Sequence, residues 1–143
     1  MFKISSDIFI NRPIKEVFAF IADNENDPKW CVPVVETDRI SGDAPGSNTR
    51  YSFASKAGLF TMRGEFKINE FDPPQRITWE GKSTINRFEG EYRLEEENEG
   101  TCLTEESTFH TAGLFRLLES SLSPDIDKSI AKQLQNLKQI LEE

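Results

Sequence analysis

From Val34 to His110 the chain is a series of short segments in which apolar and polar residues alternate, separated by turn-forming residues. A period of two places successive side chains on opposite faces of a β-strand, so each segment predicts a strand with one apolar and one polar face. Strands of this kind are typical of an antiparallel sheet with one face toward water. The apolar face of such a sheet has to be covered by another part of the chain.

The period changes near the N-terminus. Residues 2–10 alternate like a strand, and after Pro13 apolar residues follow at i, i+3, i+4 and i+7, which indicates a helix. These helical positions are Ile14, Val17, Phe18 and Ile21. Asp27 and Pro28 have the pattern of a cap and the first residue of a second short helix, which ends near Trp30.

The C-terminal segment is the part of the chain that can cover the sheet. Its apolar residues recur at intervals of four, four, three and four, which predicts an amphipathic helix of about five turns over residues 124–142. They are Ile126, Ile130, Leu134, Leu137 and Leu141. We therefore expect one α+β domain over residues 1–143: a curved antiparallel sheet of seven strands around a long C-terminal helix, with two short helices between the first and second strands.

The tripeptide Ser123-Pro124-Asp125 interrupts the apolar pattern at the start of this helix. Proline disfavours helical geometry at the preceding residue, and serine is a good N-cap, so we expect residues 113–122 to form a separate short segment. One interpretation makes this segment, together with the loop at residues 42–46, a movable lid over a pocket. The other is one long kinked helix.

Composition disfavours several classes of partner. With 17 Lys and Arg against 25 Asp and Glu, the net charge of -8 disfavours nucleic acid and anionic membrane surfaces. No apolar stretch approaches the roughly 20 residues of a membrane span, and the early acid Asp7 is untypical of a signal peptide. Cys31 and Cys102 are far apart in sequence, which predicts neither a metal site nor a disulfide. These features predict a cytoplasmic protein without membrane insertion.

Few residues are candidates for catalysis. His110 is the single histidine and no Gly-x-Ser-x-Gly motif is present, so we expect no metal, no cofactor and no histidine-based triad. Glu105 shares its phase with Leu103 and Phe109 and therefore points inward, unless the strand twists there and exposes it. A carboxylate in an apolar interior has a raised pKa and can act as an acid or base.

A second candidate feature is a set of large apolar side chains on the predicted inner face. It comprises Phe53, Phe60, Met62, Phe66, Trp79, Phe88, Tyr92, Leu103, Phe109, Phe115, Leu118 and Leu122. These residues form either an ordinary core or the wall of a ligand pocket. Gly64 and Gly90 lie among the apolar positions and remove side chains from the interior, which favours a pocket.

Five local patterns, in this order along the chain, resemble the SRPBCC (START-like, Bet v 1-like) superfamily, and in particular its polyketide cyclase/dehydrase-like branch. They are residues 10–18 (INRPIKEVF), 21–30, 70–79 (EFDPPQRITW), 100–104 (GTCLT) and 137–142 (LKQILE). The resemblance implies a helix-grip fold over essentially the whole chain.

The resemblance implies three functions, because members of this superfamily differ in activity. The first is binding of a small hydrophobic or aromatic ligand (a lipid, polyketide or isoprenoid-like molecule) in a pocket between the sheet and the C-terminal helix, with Trp79, Phe88 and Tyr92 in its wall. The second is a cofactor-independent polyketide cyclase or dehydratase that uses Glu105 or Tyr92 as acid or base. The third is a protein-interaction module similar to the chaperone activators. Homodimers are common in such folds.

Overall fold

The computed structural model describes residues 1–31, 34–57, 59–111 and 113–143, apart from the side chains of residues 57, 114 and 118–123. The strands in chain order are β1 (Phe2–Ile10), β2 (Val34–Ser41), β3 (Arg50–Ala57), β4 (Phe60–Asp72), β5 (Arg76–Ser83), β6 (Asn86–Glu97) and β7 (Gly100–Thr111). The helices are α1 (Ile14–Ala22), α2 (Asp27–Trp30) and α3 (Glu119–Glu142), with 3-10 turns at Asn24–Asn26 and Gly113–Leu118.

The seven strands form one sheet in the order β1-β7-β6-β5-β4-β3-β2, and every neighbouring pair is antiparallel. The predicted sheet and the two short helices between its first two strands are confirmed. Because β1 and β2 form opposite edges of the sheet, the segment with α1 and α2 crosses from one edge to the other.

The register of the strands defines the inner face of the sheet. Phe88 lies opposite Phe109, and Tyr92 lies opposite Glu105, on neighbouring strands β6 and β7. On the outer face, opposite charges pair across the strands, as in Arg50 with Glu65 at 3.3 Å. Aromatic residues inside and charged residues outside are the distribution that the alternating pattern predicts.

Helix α3 covers the inner face. Ile130, Leu134 and Leu137 are buried, and the helix packs against β1 and α2. The C-terminal end of the helix is hydrogen-bonded to the residue that follows β1, because the Asn11 backbone N–H donates to a Glu142 carboxylate oxygen at 2.8 Å. The predicted apolar face of this helix is therefore confirmed.

The predicted start of the C-terminal helix is wrong. Helix α3 begins at Glu119, and Pro124 lies inside it instead of at its first position. A proline near the start of a helix removes a single backbone hydrogen bond and has a helical φ, so the helix continues through it. The separate segment is the 3-10 turn at Gly113–Leu118, which is shorter than the expected lid of residues 113–122.

Two glycines of the inner face lie beneath aromatic rings. A Cβ atom at Gly90 would overlap the Trp79 ring, and one at Gly64 would overlap the Phe53 ring. The absence of a side chain at these positions lets each ring lie flat against the backbone of the neighbouring strand.

Replacing Gly90 with Ala should therefore destabilise the protein by about 1–3 kcal/mol, the usual cost of adding a carbon to a packed site. Gly46 is a matched control, because a Cβ there meets nothing within 4 Å. Gly46→Ala should leave the urea midpoint nearly unchanged. Equal midpoints for the two variants would show that the Trp79 ring is not held against Gly90.

Candidate functional site

A cavity of about 140 Å³, partly open to the surface, lies on the inner face of the sheet beside the crossing segment. It is lined by Asn24, Asp27, Val34, Thr37, Phe53, Phe66, Trp79, Phe88 and Tyr92. The volume is about that of an engineered cavity that holds benzene, and below the roughly 300 Å³ at which drug-sized sites begin. The cavity therefore has room for a single six-membered ring.

Aromatic rings from four adjacent strands form one wall of the cavity. The ring centroids of Trp79 and Tyr92 are 4.5 Å apart, those of Phe53 and Phe88 are 5.8 Å apart, and those of Phe53 and Phe66 are 6.0 Å apart. These separations are in the usual range for tilted and edge-on pairs of rings. The wall presents π-faces and ring edges, which suit an aromatic or otherwise flat apolar ligand.

Three polar side chains, which we call the polar side of the cavity, line it as well: Asn24, Asp27 and Thr37. Asn24 Nδ2 donates to both carboxyl oxygens of Asp27, at 3.1 and 3.4 Å. All three side chains belong to buried residues. The Thr37 hydroxyl has no hydrogen-bond partner among the residues that the structure describes.

The carboxyl group of Asp27 is poorly solvated. The pKa of Asp27 is raised to about 8. Burial is the largest cause, the Asn24 hydrogen bond opposes the rise, and the negative charges of Glu105 and Asp23 add to it. At neutral pH the group is therefore largely a neutral carboxylic acid, which can donate a hydrogen bond as well as accept one.

A second buried carboxyl group joins the sheet to helix α3. Gln133 Nε2 donates to one oxygen of Glu105 at 2.7 Å, and the Ser107 hydroxyl donates to the other at 3.4 Å. Burial raises the pKa of Glu105 to about 7, and these two hydrogen bonds limit the rise. Glu105 points inward, but it is not among the residues that line the cavity, so its contacts are those of a structural network.

Other candidate groups lie away from the cavity. His110 is on the outer face, with its Nε2 3.4 Å from a Glu89 carboxylate oxygen. Cys31 and Cys102 are free thiols, and burial raises the pKa of Cys31 well above its ordinary value. Within the described part of the chain, no three His, Cys, Asp or Glu side chains are grouped as metal ligands. No described helix has the length and apolar character of a membrane span.

The structure brings together part of the predicted pocket. Phe53, Phe66, Trp79, Phe88 and Tyr92 line the cavity. Three further predicted residues are not part of the cavity wall: Leu103, Met62 and Phe109. Leu103 is fully buried in the core, Met62 is half-buried, and Phe109 stacks on Phe2 with the ring centroids 5.1 Å apart. The side chains of Leu118 and Leu122 lie outside the described residues.

Two of the predicted pocket residues need correction. Phe60 is 77 % exposed at the first position of β4, and Phe115 is 42 % exposed in the 3-10 turn. Phe60 has the correct phase for the inner face, but it lies at the end of the strand, beyond the part that the helices cover. Among the side chains that the structure describes, the cavity is lined by Asn24 of the 3-10 turn, by Asp27 of α2 and by residues of β2 to β6. The side chains at the start of α3, including Leu122, lie outside the described residues, so the expected position between the sheet and the C-terminal helix stays a prediction.

Sequence reasoning missed the polar side of the cavity. The local pattern indicates a helix cap at Asp27 and a polar interruption at Asn24. The available signal is the spacing Asn24-x-x-Asp27, which places an amide and a carboxyl group one turn apart and in hydrogen-bonding reach. Thr37 has a weaker signal, as a β-branched residue in a predicted strand.

The chain matches the model of a known protein family. The model of the family described as polyketide cyclase / dehydrase and lipid transport matches residues 1–142. No curated protein matches the chain by sequence.

Solved structures share the fold at low identity. The protein TTHA0849 from Thermus thermophilus has a TM-score of 0.83 and 19% identity, covering 96% of this chain and 94% of its own. The Zhui aromatase/cyclase from Streptomyces sp. R1128 has a TM-score of 0.80 and 13% identity, covering 99% and 93%. Ara h 8.0201 has a TM-score of 0.76 and 15% identity, covering 98% and 97%. With a Bet v 1-like helix-grip fold and a family match over nearly its whole length, the chain belongs to the polyketide cyclase/dehydrase and lipid transport family of the SRPBCC superfamily.

Proposed function

We propose that this protein binds a small hydrophobic ligand and inserts one aromatic or similarly flat ring of it into the cavity on the inner face of the sheet. The observation that carries the proposal is the cavity of about 140 Å³ with five aromatic side chains in its wall. A lipid, polyketide or isoprenoid-like ligand larger than one ring would extend from the open part of the cavity. Membership of a family described by polyketide chemistry and lipid transport supports this ligand class.

A single-ring probe tests the proposal, because the cavity has the volume of one ring. Toluene should raise the melting temperature in a saturable way. At ten times its Kd it should add about 1.4 kcal/mol to the free energy of unfolding, from the binding relation for a ligand of the folded state. For a domain of this size that corresponds to roughly 4 °C.

Two variants with the same substitution show whether the probe occupies this cavity. Val34 lines the cavity and Val35, its neighbour on β2, is 50 % exposed. Val34→Phe should fill the cavity and abolish the toluene shift, whereas Val35→Phe should keep it. An absent shift in the wild type, or an equal shift in both variants, would contradict the proposal.

A cyclisation or dehydration reaction is the second candidate function, and one observation favours it. Asp27 offers a carboxyl group in the cavity wall that is protonated near neutral pH, as a general acid requires. The acid for this reaction would be Asp27, in place of Glu105. Turnover of a poly-β-ketone chain that is lost in Asp27→Asn, with ligand binding retained, would support it.

A further inference from the structure

The polar side of the cavity has unused hydrogen-bonding capacity. Thr37 is 6 % exposed, lines the cavity, and its hydroxyl has no partner among the described residues. An unsatisfied buried hydroxyl costs free energy in the absence of a partner, so such groups in native proteins are commonly satisfied by a ligand or water. The Thr37 hydroxyl is therefore an indication of what the ligand carries.

Asp27 supplies a second polar group in the same cavity. Its carboxyl oxygens already accept from Asn24 Nδ2, which holds the carboxyl group in place. The 3-10 turn at Asn24–Asn26 and helix α2 both pack against β2, the strand that carries Thr37. Asp27 and Thr37 thus reach the cavity from packed neighbouring elements, while the aromatic rings come from β3 to β6.

We infer that Asp27 and Thr37 bind an oxygen atom carried by the inserted ring, so that the ligand is a phenol or a ring ketone and not a pure hydrocarbon. This inference rests on the proposed function. An oxygen of either class can accept from the Thr37 hydroxyl and from the carboxylic acid, and a phenol can also donate. The aromatic wall binds the ring, and the two polar groups determine which ring is selected.

The proton state of Asp27 is consistent with this role. Because burial raises the pKa of Asp27 to about 8, the group is mostly neutral at pH 7 and can donate to a carbonyl or phenolic oxygen. A neutral carboxylic acid in an apolar site is an effective hydrogen-bond donor to such an oxygen.

Matched pairs of probes test the inference at pH 7. Toluene is compared with p-cresol, and cyclohexane with cyclohexanone, so that each pair differs by one oxygen. The wild type should bind the oxygenated member of at least one pair about 10-fold more tightly, as expected for one or two buried hydrogen bonds. The pair that shows the preference tells a phenol from a ketone.

Two threonine variants then locate the effect. Thr37→Val keeps the shape and removes the hydroxyl, so the preference for oxygen should fall about 3- to 10-fold while toluene affinity is unchanged. Thr111 is the control: its hydroxyl is likewise buried without a partner among the described residues, but it does not line the cavity. Thr111→Val should keep the full preference.

The outcomes separate this inference from the proposed function. If toluene fails to bind the wild type, the proposed function fails. If toluene binds but neither oxygenated probe binds more tightly, or if Thr37→Val keeps the full preference, the oxygen subsite is wrong while ligand binding stands. Asp27→Leu should also lose the preference, with toluene binding showing that the variant is folded.

Discussion

Replacing Leu134 with Asp is expected to unfold the protein at room temperature. Leu134 is 1 % exposed on the face of α3 that packs against the sheet. Truncating such a residue to Ala already costs about 2–5 kcal/mol, and an unpaired buried carboxylate adds a further penalty. Because a domain has a total stability of about 5–15 kcal/mol, the sum is enough to remove the folded state.

Circular dichroism and amide NMR dispersion measure this effect. Gln135→Asp is the matched control, since Gln135 is the next residue on the same helix and is exposed. That variant introduces the same charge and should melt within a few degrees of the wild type. A cooperative, near-normal melt of Leu134→Asp would mean that the buried face of α3 is wrongly assigned.

The second large effect is a loss of stability as the pH rises from about 5 to 9. The folded-state pKa values of Asp27 and Glu105 are raised to about 8 and about 7, from ordinary values of 3.8 and 4.5. A raised folded pKa means that the folded state binds the proton more tightly. Stability from that group is thus fully present below the unfolded pKa and is lost as the pH rises through the folded pKa.

The expected loss is several kcal/mol, because one unit of pKa corresponds to about 1.4 kcal/mol. The charged or titratable groups that act on Asp27 are Glu105 from β7 and Asp23 from its own segment, and both disfavour its ionisation. Urea midpoints of the wild type should therefore fall from pH 5 to about pH 8 and level off above it, where both carboxyl groups are ionised in the folded and the unfolded state.

Neutral substitutions show which carboxyl group causes this pH dependence. Asp27→Asn removes one of the two ionisable groups with a side chain of the same shape, so its urea midpoint should fall less than that of the wild type and keep only the part due to Glu105, which ends near pH 7. Asp43, in an exposed loop, is the control: Asp43→Asn should keep the wild-type slope. A wild-type midpoint that stays constant or rises over this range would contradict the buried, neutral state of Asp27.

Much of the fold follows from local patterns. Strand alternation predicts which residues face inward, including Glu105, because the pleat relates each position to its neighbours by a period of two. The spacing of Ile130, Leu134 and Leu137 likewise predicts the buried face of α3. Helix α3 starts earlier than predicted. The preference against helical geometry before Pro124 is only statistical, and the packing of the helix as a whole outweighs it.

The site is less predictable, because it depends on which elements meet. Burial of Asp27 results from the packing of α2 against β2, and nothing in the local sequence distinguishes this carboxyl group from an exposed helix cap. Phe60 differs from Asp27, because its predicted strand phase is correct and yet its side chain is exposed. That exposure depends on how far the helices extend over the end of β4. Five of the predicted aromatic residues line the cavity because they lie on the central strands.

The most direct measurement of ligand binding in this cavity is an NMR titration of the ¹⁵N-labelled protein with toluene. The Trp79 indole N–H, assigned by comparison with Trp79→Phe, should shift in a saturable way together with amides of β2 to β6 near the cavity. The signals of Leu59, Phe60 and Leu117, which are exposed apolar residues away from the cavity wall, should stay in place. Shifts confined to those exposed residues, or no saturable shift at Trp79, would contradict a ligand site on the inner face of the sheet.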